Sequence, residues 1–310
     1  MTSPLITPLQ WPAEAIWEAV APGLPGFTVE VLPEIDSSNT ELMRRFRGSP
    51  SGNGGGPGIA PRPEPTLLVA EQQSAGRGRL GRNWQSRRGD SLTFSLGLPL
   101  QPADWSGLSL VVGISLAESL DPGNANPDGN AGDRVGLKWP NDLWLCGARG
   151  ERKLAGILVE TASLEGIRYV VIGVGINIRA ITLPDLPAPA AATSPAAAPM
   201  PPGCLQDVFP GMDAAQALLR VVPPLVQAVR AFEQFGFAPF QARFDRRDVL
   251  SGRAVQLSDG IRGTAHGVGE DGALLVHTAA GMKQITSSEV SVRPLDGGNG
   301  ASAAEGSRPC

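Results

Sequence analysis

Two β-branched runs, KLAGILVETA (153–162) and IRYVVIGVGINI (167–178), follow each other almost directly. Neither carries a helical stripe, and both read as paired central strands. This pair constrains the fold most, because a sheet built on it must be covered. Around it, TLLVAEQ (66–72) is a buried-strand candidate, and SLTFSLGL (91–98) alternates as a strand with one covered face does. VGLKWPNDLWL (135–145) reads as strand, turn, strand. LSLVVGISLAESL (108–120) has the spacing of a buried helix. DAAQALLRVVPPLVQAVRAFEQF (213–235) is helical, with a break or kink expected at Pro223-Pro224. After Val249 come short alternating runs, a small β-barrel pattern of about four or five strands.

The expected class is α+β: a mixed sheet with helices over 1–247, then a small β domain over 248–296. The stretches 48–65 (Gly/Pro/Ser) and 182–203 (Pro/Ala) read as surface insertions, and 297–310 as a disordered tail. A chain of 310 residues is long enough for one large domain and a small one.

Composition removes several function classes. The net charge of -4 argues against a protein-wide nucleic-acid footprint. Cys146, Cys204 and Cys310 form no CxxC pair, so neither a disulfide framework nor a zinc site is expected. His266 and His277 are the only histidines, too few for a histidine metal centre or a Ser-His-Asp machine. Both read as surface or strand-end residues of the β module. The N-terminus lacks a signal-peptide pattern and no apolar run suffices to span a bilayer, so a cytoplasmic protein without a membrane partner is expected.

Five motifs carry chemistry. SAGRGRLGRNWQS (74–86) interleaves Arg77, Arg79 and Arg82 with Gly76, Gly78 and Gly81 and has no carboxylate. It fits a solvated basic loop, an RNA contact, or a loop that orders around a polyanion such as a nucleoside triphosphate or acyl-adenylate, with Trp84 covering a flat ring. In the last case the ligand brings the counter-charge. KWPND (138–142) offers Lys138 to phosphate, Asp142 to a phosphate-bound Mg²⁺ and Asn141 as a fixed donor and acceptor; taken alone, the motif reads first as an ordinary hairpin turn with a surface lysine. Lys153 stands at the entrance of an apolar strand, where it either reaches an interior ligand past Gly156 or merely flanks a surface strand. Gly173, Gly175 and Asn177 share one strand face, leaving room for a flat ligand or for close sheet packing; GVG here opens no helix, so it is no dinucleotide loop. Ser37, Ser38 and Asn39 precede a helix, as caps or as partners of a ligand carbonyl.

In their order, DSSN, GRGRLGRNW, KWPNDL, KLAGILVE and GVGIN resemble the biotin–protein ligase family. The similarity continues through FEQFGFAPFQARFD (232–245) and covers residues 30–294 apart from the two Pro-rich stretches. It implies a catalytic domain like those of class II aminoacyl-tRNA synthetases and biotin ligases, followed by an SH3-like domain. It also implies two steps: biotin and ATP give biotinyl-5′-AMP, and biotin then passes to a lysine of a biotin carboxyl carrier protein, such as that of acetyl-CoA carboxylase. By that resemblance Ser37, Ser38, Gln73 and the Arg79 backbone hold the ureido ring, with Gly76, Arg77 and Gly156 alongside. Lys153 contacts the biotin carboxylate and, with Arg79 and Lys138, forms the catalytic set. Arg79, Arg82, Trp84, Asn141, Gly173, Gly175, Asn177 and Arg293 serve ATP or the adenylate, and Asp142 serves Mg²⁺.

Two positions depart from the family pattern: Ser38 replaces a usual threonine, and Leu80 a common arginine. About thirty residues before the resemblance begins are too few for a helix-turn-helix domain, so no repressor role is expected. Relatives pair by sheet edges, so a homodimer is one assembly the resemblance allows, while the sequence leaves the oligomeric state open. The rival readings are a lipoate–protein ligase, a nucleic-acid-binding protein and a biotin sensor without ligase activity.

Overall fold

The computed structural model describes residues 9–48, 64–121, 133–180, 200–286 and 291–295. Most of both Pro-rich stretches, and the tail, lie outside the described residues.

The seven-stranded sheet comprises β1 (Thr28–Leu32), β2 (Thr66–Ala70), β3 (Ser91–Pro99), β4 (Arg134–Lys138), β5 (Asp142–Cys146), β6 (Arg152–Leu164) and β7 (Ile167–Asn177). Their order is β1-β2-β3-β7-β6-β5-β4, with the two β-branched runs paired antiparallel inside it. Only β1 and β2 run parallel. The helix α2 (Ser38–Gly48) lies between them in sequence. Sequence reading overlooks β1, because TVEVL is partly exposed along its whole length and shows no alternation of burial.

Period-two alternation divides the sheet into two unlike faces. Leu92, Phe94, Leu96 and Leu98 of β3 join Val170, Ile172, Val174 and Ile176 of β7 in the main core. The helices α1 (Ala13–Val20), α3 (Leu108–Leu120) and α4 (Ala214–Phe235) cover that face. On the other face α2 buries Leu42, Met43 and Phe46 against Leu68, Tyr169 and Val171. The rest of this second face carries Thr93, Ser95, Gly156, Gly173 and Gly175 instead of large apolar side chains.

α4 continues unbroken through Pro223 and Pro224, against expectation. Pro223 is half-buried and Pro224 exposed, as are Arg220 and Leu219 one turn before them, so the prolines fall on the less buried side of the helix. The stripe Leu218, Val221, Val222, Leu225, Val229 and Phe232 is buried. Asp213 starts the helix: its carboxylate accepts from Gln216 N at 2.8 Å, and Gln216 Oε1 accepts from Asp213 N at 3.1 Å.

The short helix α5 (Gln241–Asp245) leads to a five-stranded antiparallel sheet: β8 (Ala254–Leu257), β9 (Arg262–Val268), β10 (Leu274–Thr278), β11 (Gly281–Ile285) and β12 (Val292–Pro294), in the order β11-β10-β9-β8-β12. It is seated firmly on the first sheet. Leu137 N donates to Arg247 O at 2.7 Å and Val249 N to Leu137 O at 3.0 Å, extending the β4 edge. Trp139 Nε1 donates to Gly272 O at 3.1 Å, and Gln241 Nε2 to Val268 O. Among the described residues no helix is long and apolar enough to cross a membrane.

Candidate active site

A cavity of about 130 Å³ opens over the glycine-rich part of the second face. One end is neutral and polar. Ser37 caps α2, its Oγ accepting from Thr40 N at 3.4 Å. Gln73 Oε1 accepts from Ser38 N at 2.7 Å and from Ser38 Oγ at 3.1 Å. Ser95, fully buried, donates to Asn39 Oδ1 at 2.6 Å and lies 2.7 Å from Ser38 Oγ. Asn39 Nδ2 donates to Leu158 O at 3.2 Å and to Glu160 Oε2 at 3.0 Å. The helix start, the segment just after β2 and the two central strands β3 and β6 are thereby tied into one network.

The arginine-rich segment forms a small hairpin over this face. Trp84 N donates to Gly76 O at 2.8 Å, Gly78 N to Arg82 O at 2.7 Å and Arg82 N to Arg79 O at 3.2 Å. Gly76 is required there, because a Cβ would lie 2.3 Å from Trp84 O. At the tip Leu80 takes the left-handed conformation, φ 56°, with its side chain 56% exposed.

The cationic end is assembled by KWPND and β6. Asn141 closes the β4–β5 turn onto β6 with Nδ2 to Ile157 O at 2.8 Å, while Ile157 N donates to Asn141 O at 2.9 Å. The remaining amide oxygen of Asn141 is 3.5 Å from Arg79 Nη1. Lys138 is buried, and burial pushes its pKa down to about 8; nearby Lys153, Arg82 and Arg79 push the same way and Asp142 opposes them. Burial lowers Arg79 as well, with Asp142 opposing. Lys153 Nζ lies 2.7 Å from Asp142 Oδ1.

Lys153 reaches this position through a β-bulge. Strict alternation puts residues 153 and 156 on opposite faces. The β5–β6 register slips so that Leu143 faces Ala155 and Trp144 faces Lys153, leaving Leu154 as the extra residue. Lys153 Nζ consequently lies 3.4 Å from where a Cβ on Gly156 would stand. The Lys153 backbone is held from outside: its N–H donates to Pro201 O and its carbonyl accepts from Gly203 N, both at 2.8 Å. Asn177 Nδ2 bridges the Lys153 and Gly203 carbonyls at 3.2 and 3.0 Å.

Most expected site residues line the cavity: Ser37, Ser38, Gln73, Arg77, Arg79, Arg82, Trp84, Lys138, Asn141, Asp142, Lys153, Gly156, Gly173 and Gly175. Gly76, Asn177 and Arg293 are not among its lining; Gly76 closes the hairpin, Asn177 clamps backbone, and Arg293 lies on β12 two residues beyond Ser291, which does line it. The room left by the strand glycines is filled by the protein itself. A Cβ on Gly175 would meet the Trp84 indole at 2.3 Å and one on Gly173 would meet Asn39 Oδ1 at 2.1 Å. The hairpin also finds a counter-charge inside the protein, since Arg77 Nη2 lies 3.1 Å from Glu160 Oε1. Sequence reasoning missed Thr93, Ser95 and Glu160. Polar residues on the glycine-bearing face of a buried strand were the available signal.

Among the described residues no three His, Cys, Asp or Glu side chains converge on a metal position. A lone carboxylate still suits Mg²⁺ when substrate phosphates and water complete the shell. No histidine or cysteine lines the cavity. The arrangement therefore supplies cations, fixed dipoles and a neutral polar recess, and it holds no enzyme nucleophile of those two types.

Residues 58–177 match the Biotin/lipoate A/B protein ligase family and 250–293 match the Biotin protein ligase C terminal domain. The chain is 35% identical over 279 residues to the bifunctional ligase/repressor BirA of Escherichia coli, covering 88% of this chain and 76% of that protein. It is 30% identical over 268 residues to the biotin–[acetyl-CoA-carboxylase] ligase of Paracoccus denitrificans, covering 84% and 98%. Among solved structures, the biotin protein ligase from Aquifex aeolicus in complex with biotin and ATP is similar with a TM-score of 0.64 and 28% identity, over 86% of this chain and 98% of that one.

Proposed function

We propose roles for the residues of this cavity from one premise: the chain belongs to the biotin–protein ligase family. It is an ATP-dependent ligase that makes biotinyl-5′-AMP and acts on the biotin-carrier domain of a carboxylase. The observation that best supports the residue roles is the polarity of the cavity, with Ser37, Ser38 and Gln73 at one end and Arg79, Arg82, Lys138 and Lys153 at the other.

The neutral recess takes the uncharged ureido ring, whose carbonyl and N–H groups match hydroxyl and amide partners. The biotin carboxylate then points to the cationic end. Two anions must meet there, since a carboxylate oxygen attacks the α-phosphorus of ATP while the bond to pyrophosphate breaks. Lys153 neutralises the carboxylate and the phosphate formed from it, and Arg79, Arg82 and Lys138 screen the triphosphate. Asp142, with the triphosphate oxygens, would hold Mg²⁺, which offsets phosphate charge when bound. In the second step the amine of the carrier lysine attacks the acyl carbon, AMP leaves, and the amine proton passes to solvent. ATP supplies the activation, so positioning and charge are what the protein contributes.

Incubation of the protein with labelled biotin, ATP and Mg²⁺ tests this reading, with labelled lipoate as the competing substrate. Biotinyl-AMP should form, and Lys153→Ala should slow its formation by on the order of a hundredfold or more while the folded state persists. Lipoyl-AMP in place of biotinyl-AMP would overturn the substrate, and equal loss of folding and activity would overturn the role of Lys153.

A further inference from the structure

Glu160 stands beside the cavity, in contact with Arg77 and Asn39, and has no part in the mechanism above. It shares a strand face with Gly156 and Leu158, two residues apart each time. Its two oxygens have different duties. Oε1 lies 3.1 Å from Arg77 Nη2, at the foot of the arginine hairpin. Oε2 accepts from Asn39 Nδ2 at 3.0 Å, in the first turn of α2. Arg77 Nη1 also donates to Thr40 Oγ1 at 3.3 Å, so hairpin foot and helix start are joined twice. From Asn39 the chain of contacts runs through Ser95 to Ser38 and Gln73 in the neutral recess.

We propose that Glu160 is a positioning residue that couples seating of the neutral ligand ring to closure of the arginine hairpin. The inference rests on the ligase reading above. A carboxylate is required because both of its partners, a guanidinium and an amide NH₂, can only donate to it. A glutamine there satisfies one partner and turns its own NH₂ toward the other. Glu160→Gln therefore breaks the junction at almost unchanged volume, and Glu160→Asp keeps an acceptor but shortens its reach. Arg77→Gln removes the hairpin's side of the same junction.

The test compares wild type, Glu160→Gln, Glu160→Asp, Arg77→Gln and the Arg77→Gln/Glu160→Gln pair in biotinyl-AMP formation and release. Glu160→Gln should raise KM for biotin and the adenylate release rate by about two- to fivefold, as loss of a half-exposed ion pair implies. KM for ATP should stay within about twofold of wild type, and the double variant should be no worse than the poorer single one. Glu160→Asp should recover part of the loss. Unchanged biotin kinetics, equal change in both KM values, or fully additive losses would overturn the proposal. A wild-type protein that forms no biotinyl-AMP would overturn the ligase reading itself, a result distinct from wild-type activity with an indifferent Glu160.

Discussion

The Lys138–Asp142 turn and the Gly76–Trp84 hairpin both carry cations to one cavity, and they are held in opposite ways. The first is fastened on several sides. Trp139 is fully buried and donates to Gly272 of the C-terminal sheet, while Asn141 makes two bonds with Ile157. The second is closed by its own backbone bonds, roots itself through Arg77 and Trp84, and leaves Leu80 in solvent. The difference separates two ways of presenting charge. In the turn, folding itself covers the cost of keeping Lys138 dry. In the hairpin, Arg82 and Arg79 repel each other, a repulsion that the anion of the proposed reaction would relieve.

The contrast would break first at Trp139 and Arg79. Trp139→Ala should cost about 3–5 kcal/mol of unfolding free energy, because it empties a core site and releases the C-terminal sheet. Arg79→Ala should change stability by less than about 0.5 kcal/mol, yet speed adenylate release by on the order of tenfold. Urea unfolding and stopped-flow release measure the two; a reversed pattern would mean that the hairpin is the rigid partner.

A smaller effect sharpens the same contrast through pH. Lys138 loses its proton at about 8 in the fold, against about 10.4 in an unfolded chain. The unfolded chain binds more protons between those values, so the Lys138 contribution to stability rises with pH across that window. The binding charge goes the other way. In the free protein kcat/KM for ATP should fall by up to about tenfold per pH unit above 8, and Lys138→Arg should hold it level. A profile that is the same in both proteins would detach Lys138 from the nucleotide.

The smallest effect is expected at the hairpin tip. Leu80 has φ 56°, a conformation that asparagine tolerates better than leucine. Leu80→Asn should stabilise the protein by about 0.5–1 kcal/mol, read as a shift in the denaturation midpoint. Destabilisation would show that the exposed leucine packs on something in solution.

Sequence made the strands other than β1 and most of the cavity lining legible, because each of these follows from local periodicity or from a compact motif. VGLKWPNDLWL is indeed strand, turn and strand, and 108–120 is indeed a buried helix. What escaped depends on pairing across the sheet. The bulge at Leu154 exists only as a slip against β5, so no count along the chain shows why Lys153 and Gly156 share a face. Glu160 has its meaning through Asn39 and Arg77, which lie far away in sequence. Gly175 leaves room for a flat ligand or for close packing in the sequence reading, and only the fold reveals that the Trp84 indole takes that room. The prolines of α4 follow the same logic: local propensity predicts a break or kink, and the helix runs on without a break over its buried stripe.

The clamp made by Asn177 has a consequence for how this chain can diverge. By bonding the Lys153 and Gly203 carbonyls together, it holds Gly203 beside the lysine. Gln206 N, donating to Ile178 O at 3.1 Å, secures Ile178 as well. Loop closure grows only logarithmically with length, at about 0.6 kcal/mol per doubling. With Gly203 and Ile178 pinned in this way, a change in the length of the connection costs little and leaves the bonds that hold Lys153 in place.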